Sequence, residues 1–200
     1  GSELEANGWL YGGSAAVRTG GDLMLALEGR ALTGDVDQKA GGAETSHATW
    51  LAEGRFLVGG QPGGVTTLYT GAAYRHVDAE LGGNGQRVSR NVYIPFGLAA
   101  TGEMGGEWTA RTEAEVGWIP WGDEDLEASV GGSSVNDTFT RDSGWQARLT
   151  VEFRRGALAI APFIRHYDLG KTKSQNVAGG RVRVEDAGAT EGGVRVGLGF

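Results

Sequence analysis

Apolar and polar residues alternate with a period of two through nine stretches of the chain, near 8–17, 22–33, 47–58, 65–78, 90–100, 107–118, 144–154, 157–168 and 190–200. That period places successive side chains on opposite sides of an extended backbone, so each stretch predicts a β-strand. The connections are of two kinds. "RTGGD", "GGQPGG", "TGEMGG" and "RRGA" are short and turn-forming, whereas 34–46, 79–89, 119–143 and 169–189 are long, polar and read as loops. Short and long alternate along the chain. The expected architecture is therefore all-β, an antiparallel up-and-down meander with its tight turns at one rim and its loops at the other.

Sorting each strand by face sharpens the picture. One face carries Leu23, Leu25, Leu27, Trp50, Phe56, Val58, Val92, Ile94, Phe96, Leu98, Trp108, Val116, Trp118, Trp145, Leu149, Phe153, Ile160, Ile164, Val194, Val196, Leu198 and Phe200. The other carries Glu28, Arg30, Glu53, Arg55, Arg75, Arg111, Glu113, Glu115, Arg148, Glu152, Arg154, Arg165, Glu191 and Arg195. Such segregation fits two opposite objects: a soluble, lipocalin-like barrel with oil inside, or a transmembrane β-barrel with oil facing lipid and charge in the lumen.

Composition and placement favour the second. Only three lysines occur, Lys39, Lys171 and Lys173, all in the expected loops, and the strand charges are arginine and glutamate, which pair in fixed geometry in enclosed networks. The aromatics of the oily face gather toward strand ends, with Trp50, Trp118 and Trp145 at the loop rim and Trp108, Phe56, Phe153 and Phe200 at the turn rim. A bilayer selects two such girdles, because aromatic rings favour both of its interfaces. Small residues on that face, such as Ala15, Ala31, Ala52 and Ala110, suit lipid tails that fill any contour. The 37 glycines follow no period of three, which excludes a collagen-like chain. With no cysteine, disulfide and thiol chemistry are absent, and a net charge of −7 without a basic cluster argues against a nucleic-acid surface.

Taken in order, "LALEGRALTGDVD", "TGAAYRHV", "RNVYIPFGL", "TEAEVGW", "APFIRHYDLG" and "TEGGVRVGLGF" resemble a family of proteobacterial outer-membrane β-barrel proteins, over nearly the whole chain from Gly8. The resemblance implies a porin-like, surface-facing barrel in the bacterial outer membrane, and no catalytic residues to carry over. It also implies a further strand ahead of "GWLYGGSAAVR". The expectation is a ten-strand parent architecture, with eight wall strands as the alternative, in a single domain over 1–200 of which 1–7 is a tag or an N-terminal extension. A terminal aromatic such as Phe200 matches the signal by which such proteins reach the barrel-assembly machinery.

Three candidate chemistries remain. "RHVD" at 75–78 and "RHYD" at 165–168 invite comparison with surface proteases that use Asp and His at the loop rim, but parity turns His76 and His166 outward because Arg75 and Arg165 face the lumen. Asp123, Glu124, Asp125 and Glu127, or "GDVD" at 34–37, lack the spacing of a calcium loop, so no metal or cofactor is expected. The lumen charges Glu28, Arg30, Glu53, Arg55, Arg75, Arg111, Glu113, Glu115, Arg148, Glu152, Arg165 and Arg195 form the largest constellation. In a barrel of eight to ten strands they are expected to plug the interior, with a polar passage as the alternative. The expected protein is a non-enzymatic monomer presenting loops at the cell surface, in contact with outer-membrane lipid and lipopolysaccharide. A narrow channel for small solutes is the second reading and a surface hydrolase the third.

Overall fold

The computed structural model describes residues 5–20, 22–40, 43–62, 65–81, 85–130, 133–170, 175–177, 180–182 and 188–198. The strands are β1 (Glu5–Arg18), β2 (Leu23–Ala40), β3 (Ala43–Gly60), β4 (Thr66–Leu81), β5 (Gly85–Gly105), β6 (Trp108–Val130), β7 (Ser133–Thr140), β8 (Gly144–Arg155), β9 (Leu158–Asp168), β10 (Gln175–Val177), β11 (Gly180–Val182) and β12 (Gly188–Leu198). Ten of them form one antiparallel up-and-down sheet, ordered β1-β2-β3-β4-β5-β6-β8-β9-β12 with β7 attached to β6, and it curls into a half-barrel. β10 and β11 make a separate two-stranded ladder.

The tight turns lie where glycine permits them. Between β8 and β9, Gly156 at φ 54° opens a two-residue turn, and between β5 and β6 the chain reverses through Gly105, Gly106 and Glu107, all at positive φ.

The long connections differ from the sequence expectation. Residues 34–40 and 43–46 are strand, continuing β2 and β3 in register from Gly34↔Thr49 to Ala40↔Ala43, so Lys39 lies on a strand. Residues 79–81 and 85–89 likewise extend β4 and β5. The stretch 119–143 is largely a hairpin. The upper half of β6 pairs with β7 from Asp123↔Thr140 to Val130↔Ser133, while its lower half pairs with β8 from Trp108↔Arg155 to Ile119↔Gly144. Asp, Ser and Asn lower strand propensity only weakly, and a ladder already in register overrides them. The tenth strand is thus β7, a partner at the rim rather than a wall strand.

The face assignment is reproduced. Leu23, Leu27, Trp50, Phe56, Leu68, Phe96, Leu98, Val116, Trp118, Trp145, Leu149 and Ile164 are exposed on the convex side. Glu53, Arg55, Glu113, Glu115, Arg148 and Arg165 are buried on the concave side. Two apolar clusters flank the charges there. Met24, Ala26, Leu57 and Tyr69 lie toward the turn rim, and Ala73, Tyr93, Ile119, Tyr167 and Leu169 toward the loop rim.

Inward glycines make room for large neighbours across the ladder. A β-carbon on Gly97 would collide with the ring of Tyr69, its register partner, and one on Gly117 would meet the side chain of Gln146 at 2.7 Å. Gly54, on the convex face, has open space instead. Gly97→Val should therefore cost roughly 1–3 kcal/mol of stability by overpacking, read as a lowered thermal unfolding midpoint, while Gly54→Ala leaves the midpoint unchanged or higher.

Candidate functional site: the charged interior

The concave face gathers its charges because neighbouring strands present them in register. Glu28 lies opposite Arg55, Arg30 opposite Glu53, and Glu115 opposite Arg148. Curling the sheet then brings distant strands together.

Two clusters result. In the first, Arg55 donates to Glu28 at 2.8 Å and to Glu115, and Arg148 donates to Glu113 and, at 3.2 Å, to Glu115. Glu115 also accepts from the Tyr69 hydroxyl at 3.0 Å and from Gln146 at 3.2 Å, so one carboxylate ties together β3, β4, β6 and β8. Arg18 joins through Glu28 at 2.6 Å, and Arg111 approaches Glu113 at 3.7 Å. In the second cluster, Glu53 on β3 accepts from Arg165 on β9 at 2.5 and 3.1 Å and from Arg30 at 3.2 Å. Arg30 also reaches Glu191 on β12 at 2.5 Å. The Tyr167 hydroxyl sits among them, 2.5 Å from Arg165 and 3.1 Å from Arg30, and the Arg75 guanidinium lies 3.8 Å above its ring. These guanidinium–carboxylate contacts are charge-assisted and largely shielded from water.

Not every expected member takes part. Glu152 pairs with Arg154 at 3.2 Å near the turn rim, where both are partly exposed. Register places it opposite Arg111, yet Arg111 approaches Glu113 instead. Arg75 stacks on Tyr167, and Arg195 lies 5.6 Å from the centre of the Phe163 ring. Neither has a carboxylate within ion-pair distance among the described residues. The members that charge-counting missed are Tyr69, Tyr93, Tyr167 and Gln146, all nearly or fully buried. Their parity, shared with Arg75, Asn91, Arg165 and Arg148, was the signal that could have found them.

The convex face carries the remaining candidates. His76 packs against Trp50 with ring centres 5.2 Å apart, and His166 against Trp145 at 5.3 Å. Asp78 stands opposite Trp50, and Asp168 accepts from the Trp145 indole at 3.1 Å. Each His–Asp pair thus points away from the interior, on its own part of the sheet. The girdle residues Trp50, Trp118 and Trp145 are about half exposed, and Trp108 lies at the other end of β6. Phe200 lies outside the described residues. Trp9 and Trp121 are also exposed on this side, so all six tryptophans face outward. At the loop rim, Asp123 and Asp125 pair with Arg90, and Glu124 with Arg87 and Arg141. Among the described residues no group of three or more His, Asp or Glu side chains is placed to hold a metal ion.

Glu115 is the member on which most contacts converge, and replacing it with glutamine keeps its shape while removing its charge. Glu115→Gln should destabilise the protein by about 3–5 kcal/mol, because Arg55 and Arg148 are left buried with less counter-charge. Adding Arg148→Met should cost less than the sum of the two single changes, which a double-mutant cycle of unfolding measurements would read directly.

Neither protein-family models nor curated protein sequences give a match to this chain.

Proposed function

We propose that this chain is an integral protein of the bacterial outer membrane, a β-barrel wall whose long strands present their rim to the outside of the cell. The observation that carries this reading is the inverted distribution of side chains: tryptophan and aliphatic residues on the convex face, arginine and glutamate packed within. On a water-exposed protein so large an apolar surface is rare, since contiguous patches seldom exceed a few hundred Å². On β6 the apolar stripe runs from Trp108 to Trp118, about 33 Å along the strand at ~3.3 Å per residue. A tilt of about 40° converts that to roughly 25 Å of height, the band a bilayer core requires. The aromatics at its two ends then sit at the lipid headgroups, and the rim above it faces lipopolysaccharide.

Within this reading the protein is a non-enzymatic monomer that reaches the membrane through the barrel-assembly machinery, and its interior acts as a plug. Ion pairs that cross from β9 to β3 and from β2 to β12 fill the space a water column would need. A narrow channel is the second reading, and one observation favours it: Arg18, Arg30, Arg55, Arg75, Arg111, Arg148, Arg165 and Arg195 outnumber Glu28, Glu53, Glu113, Glu115, Glu152 and Glu191 among these concave-face charges, giving that lining an excess of positive charge.

The membrane assignment is tested by solubility. The protein should stay dispersed only in detergent and keep a β-type circular dichroism spectrum there; a monodisperse protein in plain buffer overturns it. Conduction tests the plug. In a planar bilayer the wild type should give no steps or small, flickering ones, and Glu113→Ala with Glu115→Ala should raise conductance and shift it toward anions. Large, long-lived wild-type openings would favour the channel.

A further inference from the structure

Toward the turn rim, the guanidinia of Arg18, Arg55, Arg111 and Arg148 share one connected set of carboxylates. Arg18 and Arg55 pair with Glu28, Arg55 and Arg148 with Glu115, and Arg148 with Glu113. Arg111 joins last and weakly. Its Nη2 stands 3.7 Å from Glu113 Oε2, beyond hydrogen-bond reach, and Arg18 Nη2 approaches the same oxygen at 3.8 Å. The other oxygen of Glu113 already accepts from Arg148. Four guanidinia face Glu28, Glu113 and Glu115, so one positive charge is left unbalanced, and it lies at Arg111.

The Arg111 side chain bears this out. Its Nε and Nη2 are shut off from water, and neither has a hydrogen-bond partner among the described residues. These two nitrogens form the edge of a guanidinium that grips two oxygens of a carboxylate or phosphate at once. Glu152, opposite Arg111 in register, does not supply those oxygens, because its Oε1 accepts from Arg154 Nε and Nη2 at 3.3 and 3.2 Å. Thr101, the partner of Arg111 on β5, carries no charge. Donors left unpaired away from water are costly, and an anion that met them would relieve both the missing contacts and the excess charge.

We propose that the turn-rim end of the concave face binds a small tetrahedral oxyanion of the phosphate class between Arg111 and Arg18. Two of its oxygens accept from Nε and Nη2 of Arg111, and a third faces Arg18. The Arg18 side chain is 32% exposed, against 20% for Arg111 and 10% for Glu113, so it is the group that moves aside at the rim to admit the anion and then closes over it. Glu113 opposes binding by repulsion, and Arg18, Arg111 and Arg148 around it outweigh that term. Chloride supplies charge without two separate oxygens for the fork, so phosphate is preferred. The site rests on the concave-face geometry and goes beyond the membrane reading, and its failure would leave the solubility test of that reading untouched.

The test titrates the full chain, in whichever of detergent or buffer keeps it monodisperse, with sodium phosphate near neutral pH and with sodium chloride at equal ionic strength. Calorimetry should show saturable phosphate binding, at least tenfold tighter than chloride, and the thermal unfolding midpoint should rise with phosphate concentration. Arg111→Gln should weaken phosphate binding at least tenfold, and without phosphate its midpoint should equal or exceed that of the wild type, because the unbalanced charge is gone. Arg111→Lys keeps the charge and loses the fork, so its affinity should fall between those of the wild type and Arg111→Gln. Arg87→Gln, at the loop rim beside Glu124, should leave the affinity unchanged. Glycerol phosphate run in parallel distinguishes two sources that both fit the site: equal affinity assigns it to a phosphate group carried on a larger molecule, and weaker binding assigns it to the free ion. Absence of saturable phosphate binding, equal affinity for chloride, or undiminished binding by Arg111→Gln and Arg111→Lys would overturn the proposal.

Discussion

A guanidinium removed from water needs a compensating partner, for most here a carboxylate and for Arg75 the ring of Tyr167, and this requirement organises the interior. Burial of an unpaired charge costs several kcal/mol, so the strands that carry Arg55, Arg148 and Arg165 are held where Glu115 and Glu53 can reach them. Glu115 gathers contacts from β3, β4 and β8, and Glu53 links β3 to β9 across the sheet. Ladder hydrogen bonds alone fix only neighbours. The cross-sheet pairs add curvature, because they close only when the concave face folds inward. Tyr69 and Tyr167 complete the arrangement: the Tyr69 hydroxyl donates to Glu115, and the Tyr167 hydroxyl accepts from Arg165 and donates to Glu191.

The interior is layered as a result. Apolar clusters at both ends bracket the ion pairs. Shielding of this kind strengthens each pair, since the local dielectric falls as water is excluded. It also explains why glycine recurs on the concave face. Gly97 and Gly117 leave room for Tyr69 and Gln146, which lie flat against the opposite strand and reach Glu115.

Much of this was legible in the sequence, and the limits have physical causes. Period-two alternation identifies a face directly, so the charged side, the oily side and the outward turn of His76 and His166 all follow from parity. Strand ends are another matter. Gly34, Asp35 and Asp37 look like loop residues, yet they continue β2 because β3 supplies a ladder that composition does not reveal. The same blindness turned the β6–β7 hairpin into a loop. Partner choice on the concave face was also hidden. Arg75 stands opposite Glu53 in register, but Arg30 and Arg165 occupy that carboxylate, and Arg75 rests on Tyr167 instead. Adjacent strands can be inferred from order, whereas contacts across the concave face depend on curvature.

The forked pairing of β6 has an architectural consequence. Below Ile119 the strand belongs to the wall through β8, and above Gly122 it belongs to the rim hairpin through β7, with the Arg141 amide bonded to the Gly122 carbonyl at 2.9 Å where the two meet. On its other edge β6 stays paired with β5 as far as Gln86↔Glu127, so β6 and β7 pair with each other alone only above Glu127, from Ala128↔Val135 to Val130↔Ser133. Length and composition above Glu127 are therefore uncoupled from the registration of the sheet, which makes the tip of the β6–β7 arm a natural point for divergence or for grafting a foreign segment while the wall keeps its shape.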